Sequence, residues 1–397
     1  MIYLDVTSAA SSPVNMGVQR TVRGLYAHLK AREPILPVRW DFSSKRYARL
    51  SRREQNFLDH PFASYVRPEA VPGRWNWRSF YRIWEDDRSR KRRVIPHEEL
   101  LGNQNVLLIP DLCWDSRIHA WPRLAKFPGR KIAIFHDAMP LRIPGQADSH
   151  DKLFAQYVRA LSCLDLVICI SQEVENDLIH YWKKFGRKPK PTCVIPWPVP
   201  FVGAHPDNPP NPTARQIIYV SRLKLRKNHL VLLDACESLW RDGEQFRLDL
   251  IGIEDAFRDT RTILRKMREL ARKGRPVRWL KHISEAELKQ AYRDCAFTVF
   301  PSRLEGFGLP IIESLWHGRP VICGRNGAIG EVASGGGCYQ IDQNSEEELA
   351  QAVRLLLNDK SVYNRLYEEG RTRSFLSWED YLEDLDAALQ PETVPAR

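Results

Sequence analysis

The run Pro301-Ser302-Arg303-Leu304-Glu305-Gly306-Phe307-Gly308-Leu309-Pro310-Ile311-Ile312-Glu313 decides how this 397-residue chain is read. It follows an apolar strand-like segment, Phe297 to Phe300, and its glycine-bearing loop should open a helix at Leu309. Two carboxylates, Glu305 and Glu313, stand eight residues apart around that loop. A carboxylate accepts hydrogen bonds from hydroxyl pairs, which suits one acid to the hydroxyls of a sugar and the other to those of a ribose. Between them, the N–H groups of Gly306, Phe307, Gly308 and Leu309 lie at a helix start, which presents unpaired donors and partial positive charge to a diphosphate. The segment reads as a seat for a sugar joined to a nucleotide. An ordinary strand-loop-helix with two surface glutamates stands beside that reading, because paired acids recur by accident.

Outward from this run, strands and helices alternate. The pattern predicts strands at Gln216 to Val220, Phe246 to Ile251, Val277 to Leu280, Phe297 to Phe300 and Pro320 to Cys323. Helices are predicted near Asn228 to Arg241, Phe257 to Lys273, Ser284 to Arg293 and Leu309 to His317. Toward the N-terminus, strands are expected at Ile2 to Val6, Asn105 to Pro110, Lys131 to His136 and Asp165 to Ile170. A helix is expected over Gly17 to Lys30, and another after Ser171, a plausible cap. Between Lys188 and Pro212 nine prolines leave no helical period, so a linker or hinge is expected there. The tail from Ser345 is helical, and Trp378 to Leu389 forms a last amphipathic segment. Length alone predicts two domains. The division is 1–200, 201–375 and a terminal helix, 376–397, crossing back to the first domain. Both domains are α/β and doubly wound, with ligands gathered at the carboxyl ends of parallel strands and the two domains facing each other across a cleft.

Composition excludes several classes. Hydrophobic residues make up 43% and charged ones 27%, as in folded soluble proteins. No stretch approaches the roughly 20 apolar residues of a membrane helix. The start, Met1-Ile2-Tyr3-Leu4-Asp5-Val6, has the pattern of a buried strand without a basic leader, which predicts a cytoplasmic protein. The eight cysteines have no C-x-x-C pair and no histidine at metal-ligand spacing, so reduced thiols are expected rather than disulfides or zinc. The net charge of +11 is local: residues 39–93 carry fifteen Lys and Arg against seven Asp and Glu. That stretch includes Arg74-Trp75-Asn76-Trp77-Arg78-Ser79-Phe80-Tyr81-Arg82-Ile83-Trp84. Cations mixed with tryptophans suit an anionic lipid surface. They also suit nucleic acid, or an arginine-rich surface whose aromatics pack inward.

With Glu305 and Glu313 in the wording E-G-F-G-L-P and E-x7-E, the chain resembles the family 4 retaining glycosyltransferases of GT-B fold, bacterial mannosyltransferase-like members among them. The resemblance spans nearly the whole chain and is strongest from Ile217 to Val332. It implies that Glu305 is the catalytic carboxylate on the donor sugar and Glu313 the ribose-side one. Ser221-Arg222-Leu223-Lys224-Leu225-Arg226-Lys227-Asn228 resembles the family's phosphate-binding segment. Arg222 and Lys227 then stabilise charge on the departing diphosphate, while Lys224 and Arg226 read as surface charges. Met16-Gly17-Val18-Gln19-Arg20 resembles the N-terminal glycine loop, which makes Gly17 a donor contact and Arg20 a phosphate or acceptor contact. Phe135-His136-Asp137-Ala138-Met139-Pro140 is similar to an H-D-x-x-P segment, with His136 on a sugar hydroxyl and Asp137 orienting the acceptor or holding the loop. His282 and Ile283 would lie near the base, and Glu331 would support the donor pocket. The usual N-G-V/L-D wording after the hinge strand is replaced by Pro196-Trp197-Pro198-Val199.

The resemblance implies a metal-independent enzyme with no cofactor: the nucleotide-sugar is a substrate. The one D-x-D, Asp384-Leu385-Asp386, reads as a helix face. GDP-mannose or a related GDP-deoxyhexose is the favoured donor, with UDP-hexose and dTDP-rhamnose open. A lipid-linked glycan acceptor at the cytoplasmic membrane face, met through residues 39–93, is expected, and no nucleic-acid partner. A soluble transferase and a non-catalytic nucleotide-sugar-binding protein are the competing readings.

Overall fold

The computed structural model describes residues 1–11, 17–60, 93–143, 150–199, 208–254 and 260–390. The chain divides into two compact units, Met1–Pro200 with Leu376–Arg397, and Phe201–Phe375.

The first unit is built on seven strands: β1 Ile2–Asp5, β2 Ile35–Asp41, β3 Arg46–Arg49, β4 Val106–Ile109, β5 Arg130–Phe135, β6 Leu166–Cys169 and β7 Thr192–Val194. Their order is β3-β2-β1-β4-β5-β6-β7, parallel throughout except that β3 runs antiparallel to β2. Strand order therefore reverses between β1 and β4, where the carboxyl ends of a doubly wound sheet open a crevice. Central strands such as β4 (Val-Leu-Leu-Ile) and β6 (Leu-Val-Ile-Cys) are buried almost throughout, as a sheet covered on both faces requires. The helix Gln172–Lys184 starts where Ser171 Oγ accepts from Val174 N–H at 3.2 Å.

Two expectations need correction here. Part of the basic stretch 39–93 is not a surface ribbon. Arg39 lies in β2, 5% exposed at its side chain and 2.8 Å from Glu54, while Trp40, Tyr47, Phe57 and Leu58 are core residues. The arginine and tryptophan segment 74–84 lies outside the described residues. The proline-rich linker also begins later than expected, because β7 pairs with β6 inside it. Its edge position tolerates neighbouring Pro189, Pro191 and Pro196, which lack an N–H.

The second unit carries β8 Gln216–Val220, β9 Arg247–Ile251, β10 Val277–Leu280, β11 Phe297–Phe300, β12 Val321–Gly324 and β13 Cys338–Ile341. They form one all-parallel sheet ordered β10-β9-β8-β11-β12-β13, with reversal between β8 and β11. All eight cysteines are free thiols.

The terminal helix Trp378–Leu389 begins in a capping box of Ser377 and Asp380 and packs in the first unit. Trp378 lies on the helix Gly17–Arg32 at Gly24, where a Cβ would come within 2.5 Å of its ring. Only glycine leaves room for that approach.

Candidate functional site

The reversal point of the second sheet gathers the residues that matter most. The backbone leaves β8 at Ser221, whose N–H donates to Ile251 O at 2.9 Å. It then crosses so near Gly252 that a Cβ there would lie 2.4 Å from Ser221 O. Leu225–Lys227 form a 3-10 turn, and Asn228 closes it in the left-handed region at φ 61°. The Asn228 amide donates to Gln343 O, and Tyr219 Oη donates to Lys227 O at 2.7 Å, so side chains hold the strained corner. Against this turn lies the loop after β11. Arg303 N–H donates to Arg226 O at 2.9 Å, Ser302 Oγ lies 3.2 Å from the same carbonyl, and Arg226 Nη1 returns a bond to Leu304 O at 3.0 Å.

Glu305 sits in the middle of this lacing with its side chain 10% exposed. Its Oε1 lies 2.6 Å from Lys227 Nζ, 3.0 Å from Arg226 Nη1 and 2.5 Å from Ser302 Oγ. Burial alone would raise its pKa, but Lys227 and Arg226 outweigh it and hold the group down at about 2. Lys227 Nζ also lies 5.0 Å from the centre of the Phe300 ring. Burial lowers its pKa to about 8 although Glu305 opposes the shift, so an ammonium faces a carboxylate at neutral pH. Arg222, half-buried, adds its charge to the field at Lys227. Arg226 is thus a site residue and not the surface charge the sequence suggests. The 3-10 turn aims two consecutive cations at one carboxylate, and neither composition nor spacing reports that turn.

Gly308 precedes the helix Leu309–Trp316 at φ 118°, a conformation open to glycine. Gly306 is buried and Phe307 half-buried in the same loop. Glu313, one turn into the helix and 5% exposed, accepts from Tyr292 Oη at 3.3 Å. Ile283 packs on the cluster that contains Tyr292, while His282 is exposed and Glu331 is exposed on the helix Gly327–Ala333.

In the first unit, His136 follows β5 and is 3% exposed. Its Nε2 lies 2.7 Å from Pro110 O, so Nε2 carries the hydrogen and Nδ1 is left as an acceptor. Burial lowers its pKa to about 4, which keeps the ring neutral. The ring stacks on Trp197 at 5.8 Å, Trp197 stacks on Tyr381 at 5.2 Å, Tyr381 meets Trp378 edge-on at 5.7 Å, and Trp378 stacks on His28 at 4.5 Å. The residue that replaces the usual hinge wording is therefore the link between the last helix and His136. Asp137 Oδ1 accepts from Met139 N–H at 2.9 Å and holds its loop. Gly17 opens its helix with nothing among the described residues within 4 Å of a Cβ, so their packing does not demand glycine there. Arg20 is half-buried on the same helix.

A second ionic cluster escapes sequence reasoning. At the reversal point between β1 and β4, Asp5, wholly buried, accepts from Thr7 N–H at 3.0 Å, Thr7 Oγ1 at 2.5 Å, Tyr47 Oη at 2.9 Å and Arg117 Nη1 at 3.0 Å. Arg117, 1% exposed, also bonds Asp115 at 2.7 Å and lies 3.6 Å from Asp111, which accepts from Ser8 N–H at 3.0 Å.

These two doubly wound units have the architecture of GT-B glycosyltransferases, and residues 204–373, which hold the Glu305 site, match the family model described as Glycosyl transferases group 1. The match takes in most of the second unit, Phe201–Phe375. The chain is similar to the serotype-specific mannosyltransferase WbdA of Escherichia coli, with 28% identity over 327 residues that cover 75% of this chain and 38% of the relative. The chain thus spans well under half the length of that relative. The O-antigen chain mannosyltransferase B of Escherichia coli is 28% identical over 145 residues, 36% of this chain and 37% of the relative. Among solved structures, the sucrose-phosphate synthase of Thermosynechococcus elongatus shares the fold over 98% of this chain and 97% of its own, with a TM-score of 0.66 at 19% identity.

Proposed function

We propose that the protein transfers a hexose, mannose or a related deoxyhexose, from a GDP-sugar to a hydroxyl of a lipid-linked glycan in bacterial surface polysaccharide assembly. The observation that carries the transfer chemistry is the convergence of Lys227 and Arg226 on buried Glu305 at the reversal point of the second sheet. The choice of mannose leans on the two mannosyltransferases named above, and the acceptor class on the O-antigen product of one of them.

In this reading the bond from the anomeric carbon to the diphosphate oxygen breaks, and the diphosphate keeps the electron pair. Lys227 and Arg222 stabilise the charge that builds there, which lowers the barrier because it is larger in the transition state than in the bound donor. The acceptor oxygen bonds the same face of the anomeric carbon, its proton passes to the departing diphosphate, and the configuration is retained. Glu305 positions the sugar, and Glu313 the ribose. His136, neutral and fixed at Nε2, accepts a sugar hydroxyl at Nδ1. In this reading protein cations, rather than a divalent metal, carry the stabilisation of the leaving diphosphate.

Among the described residues no helix is long and apolar enough to cross a membrane. We place the lipid contact at the cytoplasmic face of the inner membrane, in the basic stretch 39–93, of which 61–92 lie outside the described residues.

A thermal-shift panel of GDP-, UDP-, dTDP- and ADP-sugars tests the donor. A ligand at one hundred times its Kd stabilises the folded protein by about 2.7 kcal/mol. GDP-mannose is expected to raise Tm most. A larger rise with a UDP- or dTDP-sugar would move the assignment to that donor.

A further inference from the structure

The three donors that hold Glu305 all meet one of its two oxygens. Oε1 receives Lys227, Arg226 and Ser302, while Oε2 has no partner among the described residues. A carboxylate has about four lone-pair directions divided between two oxygens, so Oε1 is saturated and Oε2 is not. The side chain is 10% exposed and Oε2 keeps access to solvent, so this is the oxygen a ligand can reach.

The donors differ in how firmly they are held. Arg226 is tied at both ends: Nη1 also bonds Leu304 O, and its carbonyl takes Arg303 N–H. Ser302 is wholly buried between Arg226 O and Glu305 Oε1. Lys227 reaches Oε1 by a single ammonium on a flexible stem. It can turn toward an arriving diphosphate while the other two stay in place. A carboxylate gripped only by Lys227 would lose its orientation at that moment.

We propose that Arg226 and Ser302 are positioning residues that clamp Glu305 through Oε1, so that Oε2 alone meets a hydroxyl of the donor sugar while Lys227 is released to the diphosphate. This rests on the donor-site reading above, which assigns Glu305 to the sugar but gives Arg226 and Ser302 no part.

The test is a double-mutant cycle on GDP-mannose turnover by the full chain, joined to a carbon-13 NMR titration of the Glu305 carboxyl. Arg226→Gln and Ser302→Ala are each expected to lower kcat at least about fivefold with a smaller change in KM, and Arg226→Lys to recover part of the loss. In a Glu305→Gln background, Arg226→Gln should cost nothing further, because its effect passes through Glu305. The carboxyl should titrate near 2 in the wild type and higher in both single variants, with Lys227 and Tyr219 still facing it. Losses that multiply across the cycle, or a titration unmoved in both variants, overturn the proposal. Ser302→Ala removes one oxygen and keeps the test alive if Arg226→Gln does not fold, and the titration decides it if GDP-mannose is not turned over. Wild-type turnover by Glu305→Gln would instead sink the donor-site reading itself.

Discussion

Each sheet buries an ionic cluster at its reversal point, and the two clusters are built to opposite ends. Around Asp5 both oxygens are taken: Oδ1 by Thr7 and Oδ2 by Tyr47 and Arg117. Around Glu305 the donors found among the described residues crowd one oxygen and leave the other open. A saturated cluster can only hold the fold together, whereas one with an open oxygen can still take a ligand. Burial and charge alone do not separate the two cases; the count of partners per oxygen does.

The largest effect should come from breaking the saturated cluster. Arg117→Met strands the buried carboxylate of Asp5 without its cation, and removing one partner of a buried pair costs on the order of 3–5 kcal/mol. Denaturant unfolding would measure it, and a loss below about 1 kcal/mol would remove the contrast drawn here. Next, Glu305→Ala and Lys227→Ala should each lower turnover by at least about tenfold, equivalent to roughly 1.4 kcal/mol of transition-state stabilisation, while the protein stays folded. A collapse of Tm in both would make that cluster structural as well.

The smallest effect is a difference in acid behaviour. Glu305 has a folded pKa near 2, below its ordinary 4.5, so its contribution to stability is present above 4.5 and is lost as pH falls toward 2. Asp111 is shifted the other way, because burial raises it above 3.8. Its contribution is greatest below 3.8 and is lost as pH rises through its folded value. Tm against pH should therefore flatten in opposite senses on Glu305→Gln and on Asp111→Asn. Parallel changes would show that the two sites share one electrostatic character.

The chain reveals what is local. The strands around Glu305, the helix opening at Leu309 and the cap at Ser171 are short-range patterns, and each lies where periodicity and cap chemistry place it. Strands β2 and β3 are hidden in a stretch whose arginines read as surface, because Arg39 is neutralised by Glu54, a partner supplied by the following helix. Arg226 is misread for a related reason: its partner is in a loop 79 positions away. The Asp5 cluster depends on Arg117, 112 positions from Asp5, and no spacing rule joins such residues. Strand β7 is masked by the prolines around it. Trp197 stands out in the sequence only as a departure from the family's wording, and its role needs the rings of His136 and Tyr381 on either side.

That ring column has a consequence for the order in which the protein is completed. Trp197 is made before residues 201–375, and Tyr381 and Trp378 only after them. During synthesis the first unit can assemble its sheet early, since N-terminal regions fold as they emerge. His136 nevertheless has only half of its support until the final helix docks. A nascent chain therefore carries the whole second unit before the stack behind His136 closes, and that residue gains its backing among the last events of maturation.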